Sequence, residues 1–242
     1  MDVQAAELAA ALGDVAAETL KVAPVRNSPY KLGGVERLDL RCQKSKWAEI
    51  HWEEAAWRYR ANFNGSGLAW QEIIGFQEML RGNNFDDSGW GEVDLIGRSP
   101  YGLPVVIEVK SEPSEWLLAA VMQAAAYGIA LRKSWESVLK RQWESRFGTS
   151  SAGNSEPWPI VVAAPVSYWQ ACIGLKGKRT SNKAPELFWP ALAALVTSLR
   201  ELGLEPSFTA IIHNGSDANG FPNIVGARNV DVSRPFDGNL WL

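Results

Sequence analysis

Cysteine is nearly missing. Cys42 and Cys172 are the only two thiols, and neither belongs to a CxxC pair or a Cys/His cluster, so neither a disulfide framework nor a structural zinc site is expected. No apolar run approaches the length of a bilayer span, and the opening MDVQAAELAAALGDVAAETL carries acids where a secretory leader would carry a basic n-region. A chain in the reducing cytoplasm, away from any membrane, is the expectation. Excess positive charge is also lacking. The 24 Lys and Arg against 27 Asp and Glu leave a net charge of −3 and a pI of about 5.6, which argues against binding nucleic acid by bulk charge. No internal repeat or low-complexity tract is apparent.

With 242 residues, 46% of them hydrophobic, the chain can bury one substantial core without staples. Its twelve tryptophans are expected mainly as core or interface anchors, although an exposed one could stack on a base. Two local basic stretches stand out against the acidic average. LRKSWESVLKRQWESRF holds Arg132, Lys133, Lys140, Arg141 and Arg146, and GLKGKRTSNK holds Lys176, Lys178, Arg179 and Lys183. Either tracks a phosphate backbone or is an ordinary solvated helix face and loop; Lys176, Lys178 and Arg179 are the nucleic-acid candidates.

The chain divides by pattern into residues 1–35, a helix and linker, and 36–242, an α/β domain. Ala5, Leu8, Ala9, Leu12, Val15, Ala16 and Leu20 recur at helical spacing, a face suited to the protein body, a second copy or another partner. VAPVRNSPYKLGG reads as a linker. Helices are predicted over Ser45 to Asn62, about Gly67 to Arg81, from Ser114 to about Phe147 and over Ala184 to Leu202, where Gly203 is a stop signal. Strands are predicted at GEVDLIG, LPVVIEVK, PIVVAAP and SFTAIIH. The tail from Asn214, rich in Gly, Asn, Asp and Pro, is expected to wrap the surface. This order implies a mixed sheet covered by helices.

The chemistry concentrates in the first two strands. If they form a hairpin about Tyr101, Asp94 lies opposite Glu108 and Glu92 opposite Lys110, with opposed Cβ atoms about 5 Å apart. Ile96 and Val106 continue that face inward; Val93, Leu95, Val105, Ile107 and Val109 fill the other. Two opposed carboxylates in an apolar setting raise a pKa or recruit a cation, and Mg²⁺ or Mn²⁺ held by Asp94 and Glu108 would suit phosphodiester hydrolysis. Lys110, two residues past Glu108, can reach an attacking water or a phosphate oxygen. Glu72 falls within the apolar stripe of the helix predicted over 67–81. It is either an outer ligand to the metal or a water, or a side chain paired with a nearby arginine at the stripe's edge. Gln123 and Tyr127, spaced i, i+4 among alanines, either serve the site or form a buried pair satisfying backbone groups.

GEVDLIG, IEVK and, thirteen residues after Lys110, QAAAY together resemble the PD-(D/E)xK nuclease superfamily. GEVDLI followed by EVK is similar to its resolvase-related members, and QxxxY to its RecB-type exonucleases. The resemblance covers about Leu68 to Leu131. It implies a restriction-endonuclease-like fold and a metal-dependent deoxyribonuclease, in a setting such as phage defence or repair. In that scheme Asp94 and Glu108 are metal ligands, Lys110 the catalytic lysine, Glu72 the helix glutamate, and Gln123 and Tyr127 the accessory motif. The proline that often precedes the aspartate is replaced by Val93, and the family's first core strand has no obvious counterpart before GEVDLIG. A non-catalytic nucleic-acid-binding or assembly protein on the same scaffold is the competing expectation.

Overall fold

Alternation of period two and runs of β-branched residues draw the middle of the chain into one sheet. In a computed structural model that describes residues 3–23, 26, 30, 47–63, 67–79, 91–111, 117–148, 156–173 and 185–233, six strands lie in sequence order: β1 (Glu72–Met79), β2 (Glu92–Arg98), β3 (Pro104–Val109), β4 (Trp158–Pro165), β5 (Leu204–Ser216) and β6 (Pro222–Asn229). The β1–β2, β2–β3 and β5–β6 pairs are antiparallel, and β3, β4 and β5 run parallel. The expected α/β fold with a mixed sheet covered by helices is therefore the observed one.

Parallel neighbours need long crossovers, and helices supply them. Between β3 and β4 the chain forms α3 (Leu117–Ser134), one π-helical turn (Trp135–Leu139) and α4 (Lys140–Phe147), in line with the long helix or pair in series expected up to Phe147. Between β4 and β5 it forms α5 (Val166–Ile173) and α6 (Pro185–Glu201). Gly203 ends that crossover as expected, at φ +76°, and Arg132 Nη1 donates to the carbonyls of Leu202 (2.7 Å) and Gly203 (3.3 Å). Lys133 likewise donates to the Ala23 carbonyl at 2.8 Å. Two of the five basic residues of that stretch thus hold backbone together. The Lys176, Lys178 and Arg179 loop lies outside the described residues.

Two cores sandwich the sheet. One, against α3, α4, α5 and α6, gathers Ile96, Val106, Leu117, Ala124, Trp143, Trp169 and Leu195. The other, against α2 (Glu49–Arg58) and a 3₁₀ turn (Arg60–Phe63), gathers Trp52, Ala56, Trp57, Phe63, Leu95, Val105 and Ile107. Helix α3 lies very close to the sheet through its small residues. A Cβ built on Gly128 would come within 2.6 Å of Ile160 Cγ2. The faces expected for the β2–β3 hairpin hold, except that Val93 joins the α3-side core.

Four expectations need correction. The helix predicted over 67–81 is strand β1, with a bulge: Ile73 opposes Gly97 while Gly75 opposes Ile96, leaving Ile74 as the extra residue. The bulge turns Ile73 and Phe76 to one core and Ile74 to the other. A spacing of three on one side imitates a helix, and that is why the periodicity misled. The tail after Asn214 contains a full strand, β6, antiparallel to β5. The segment read as a linker is fastened where it is described. Arg26 and Tyr30 are buried, the Arg26 amide donates to Ser134 Oγ at 2.9 Å, and the Tyr30 amide donates to Gln142 Oε1 at 2.9 Å. Finally, Val15 of α1 (Val3–Val22), expected on the apolar face, is 54% exposed. Helix α1 itself packs on α6 and α3. No helix among the described residues is long and apolar enough to cross a membrane.

Candidate metal centre and active site

The β2–β3 register is the one expected. Leu95 opposes Ile107, Ile96 opposes Val106, Gly97 opposes Val105 and Arg98 opposes Pro104, about the tight turn in which the Ser99 hydroxyl accepts from the Leu103 amide. One residue further out, Asp94 reaches across, and its Oδ2 accepts from the Val109 amide at 2.7 Å. Asp94 and Glu108 thus come together at the open end of the hairpin. The expected partner for Lys110 was Glu92, but Glu92 pairs with Met79 on β1 and faces solvent. Lys110 instead turns inward, with Nζ 2.9 Å from Glu108 Oε1 and 3.2 Å from Glu49 Oε1.

Glu49 is the residue that sequence reasoning missed. It opens α2, and one carboxylate oxygen from each of Glu49, Asp94 and Glu108 lies within 4.8 Å of the others. Glu72, chosen as the third acid, is on β1 at the other end of the hairpin, where its Oε1 accepts from Arg98 Nε at 2.9 Å. That is the arginine-paired alternative, on a strand in place of a helix. The signal for Glu49 was present in EIHWEEAAW, where Glu49 and Glu53 stand i, i+4 on one helix face. Glu53 is buried behind the cluster, its Oε2 accepting from Gln77 Nε2 at 2.9 Å. Gln77 has φ +47°, a left-handed conformation uncommon outside glycine and concentrated at functional sites.

Helix α2 is held in place from the far edge of the sheet. Trp47 Nε1 donates to the Gly220 carbonyl at 2.8 Å, Tyr59 Oη to Asp217 Oδ2 at 3.0 Å, and Asn62 Nδ2 to the Ile224 carbonyl at 2.6 Å. The rings of Trp47, Trp52 and His213 meet edge to face, with centroids 5.1–5.4 Å apart.

Electrostatics at this point are severe. Glu108 is fully buried and Lys110 only 2% exposed. Burial pushes the Asp94 carboxyl well above its ordinary value, and the Glu108 and Glu53 charges push it further, against the Val109 amide and Lys110. Burial likewise lifts Glu108 to about 7, opposed by the Lys110 ammonium. Lys110 Nζ, 2.9 Å away, answers Glu108 Oε1, while Glu108 Oε2 is buried with no hydrogen-bond partner. Gln123 and Tyr127 face this cluster from α3. Gln123 Nε2 lies 3.3 Å from Tyr127 Oη, and burial, followed by the Glu108 and Asp94 charges, raises the phenol's pKa.

A divalent cation fits these residues. Oxygens that share one ion at about 2.1–2.4 Å lie no more than roughly 4–5 Å apart, the three acids meet that limit, and the buried Glu108 Oε2 has no hydrogen-bond partner. Hard oxygen donors of this kind suit Mg²⁺ or Mn²⁺.

Comparison of the chain with family models, curated proteins and solved structures gave no match.

Proposed function

We propose that this chain is a Mg²⁺- or Mn²⁺-dependent nuclease of restriction-endonuclease-like fold that hydrolyses phosphodiester bonds in DNA, acting in the cytoplasm in phage defence or repair. The observation that carries the reading is the convergence of three carboxylates and a lysine at the open end of one hairpin. Asp94 and Glu108 would hold the ion, with Glu49 in place of Glu72 as the third ligand. The bound ion supplies charge neutralisation at the phosphate and an acidified water. Lys110 fixes Glu108 and presents an ammonium to a phosphate oxygen or a water beside the carboxylates. Tyr127 and Gln123 offer a hydroxyl and an amide from the α3 side. The strand order β1 to β3, with α2 preceding β1, supports the fold assignment, because it supplies the first core strand and the helix glutamate that the superfamily resemblance requires.

The test is incubation of the purified chain with circular and linear, single- and double-stranded DNA and RNA, with Mg²⁺, Mn²⁺ or EDTA. Metal-dependent DNA cleavage that disappears in Asp94→Ala is the expected result, and cleavage retained in that variant or in EDTA refutes it. One observation favours a second reading, a non-catalytic binding or assembly protein. Lys110 is buried and already satisfied by two carboxylates, as in a structural ion pair. In that case, titration with Mg²⁺ or Mn²⁺ produces no Asp94-dependent rise in melting temperature.

A further inference from the structure

Gln77 departs from the pattern of its strand. Phe76 opposes Leu95 and Glu78 opposes Val93, which places Gln77 beside Asp94 across the β1–β2 ladder. Leu95 in turn opposes Ile107, so Gln77, Asp94 and Glu108 form one row over three neighbouring strands. Phe76 belongs to the core on the α2 side, and regular alternation would turn Gln77 to the other face. Its amide nevertheless reaches α2, where Nε2 donates to Glu53 Oε2 at 2.9 Å. The φ of +47° accompanies that departure. Glycine takes such a conformation freely, whereas another residue keeps it only where its surroundings impose it.

The amide leads to Glu53. That carboxylate is buried, one helical turn from Glu49 on the same face of α2, and its charge bears on both Asp94 and Glu108. The oxygens that lie within 4.8 Å of one another are those of Glu49, Asp94 and Glu108, and Glu53 stands behind them. Among the described residues, four carboxylates thus gather round the one ammonium of Lys110. A fourth negative charge draws a divalent cation more strongly than three alone. Partners that hold and back the ligands of an ion are commonly worth about 10–100-fold in its affinity.

We propose that Gln77 is a positioning residue of the acidic centre, given the reading of Glu49, Asp94 and Glu108 as a cation site: from the strand beside Asp94 it holds the Glu53 carboxylate as an outer anion, and so strengthens the grip of the three acids on a divalent cation. Gln77 acts through Glu53 alone. The left-handed backbone is kept for where it sends the side chain.

Isothermal titration of the full chain with Mn²⁺, run beside thermal melting in EDTA, tests it. Gln77→Gly suits the backbone conformation and removes the amide, so it should fold normally, and its affinity for Mn²⁺ should fall by about tenfold. Glu53→Gln, nearly the same in shape, should lose as much or more. The double variant should bind no more weakly than Glu53→Gln, because the amide has no other route to the ion. A pair that merely braces α2 would lower the melting temperature in EDTA and leave the Mn²⁺ affinity of the folded chain alone, and that result overturns the proposal. Additive losses in the double variant do the same. If the unaltered chain shows no Asp94-dependent Mn²⁺ binding, the cation site falls and the role of Gln77 with it. If it binds, and Gln77→Gly binds equally well, only the role of Gln77 falls.

Discussion

The two ends of strand β3 contrast in how their polar groups are satisfied. At Lys110 three carboxylates crowd round one ammonium, and the cost of burial falls on charges that a cation would relieve. At the Tyr101 turn the buried polar side chain is Ser99, whose hydroxyl already accepts from the Leu103 amide at 2.9 Å. The same strand thus joins a crowded cluster of charges to a turn whose buried polar group is satisfied. Buried charge is concentrated where α2 meets the open end of the hairpin, whereas near the tight turn Glu72 is paired with Arg98 and partly exposed. A polar group that a fold leaves unsatisfied shows by its type what would satisfy it.

Replacing the lysine should have the largest effect. Lys110→Met keeps the shape of the side chain and removes the charge, and DNA cleavage at pH 7 should fall roughly 10²–10⁴-fold while the circular dichroism spectrum stays folded. Undiminished cleavage would remove Lys110 from the chemistry. Next comes the close approach of α3 to the sheet at Gly128. Gly128→Val places methyl groups where even a Cβ is 2.6 Å from Ile160, and urea denaturation should show a loss of about 1–3 kcal/mol. A neutral result would mean that the helix can lift without cost.

The pH response separates the ends more finely. Glu108 titrates from an ordinary 4.5 to about 7 in the folded chain, and Asp94 moves in the same direction. Between those values the folded state binds more protons than the unfolded one, so stability falls as pH rises. In EDTA the melting temperature should therefore drop between about pH 4.5 and pH 7. Mg²⁺ or Mn²⁺ should restore it above pH 7, and Asp94→Asn should flatten the profile. A melting temperature that rises across this interval in EDTA would contradict the burial argument. The smallest effect belongs to Glu72. Its bond to Arg98 is partly exposed, so Glu72→Gln should change stability by less than about 1 kcal/mol and leave cleavage unaltered. Lost cleavage there would return Glu72 to the site.

Much of this was legible in the sequence, for identifiable reasons. GEVDLIG and LPVVIEVK are short apolar runs on either side of a short turn, so centring the hairpin on Tyr101 fixed their register, and with it the meeting of Asp94 with Glu108. Gln123 and Tyr127 were legible because alanines surround them and a helix puts i and i+4 on one side. EIIGFQEM was misread because the bulged Ile74 breaks its alternation. Glu49 was missed for a related reason, since with a helix assigned to 67–81 the third acid was sought there. Strand β6 was hidden by its Pro, Gly and Asn content, which edge strands tolerate. A cavity beside α6 has no local signature, because its walls come from six separate parts of the chain.

The tethers of α2 to Gly220, Asp217 and Ile224 bear on how the acidic centre is assembled during synthesis. Asp94, Glu108 and Lys110 are neighbours on one hairpin and can meet as soon as it has formed. Glu49 emerges earlier, yet its helix is anchored to β6 and the turn before it, 158 to 173 residues further along the chain, and such distant pairings form late. A growing chain therefore brings two of its three clustered carboxylates together before the third is held beside them.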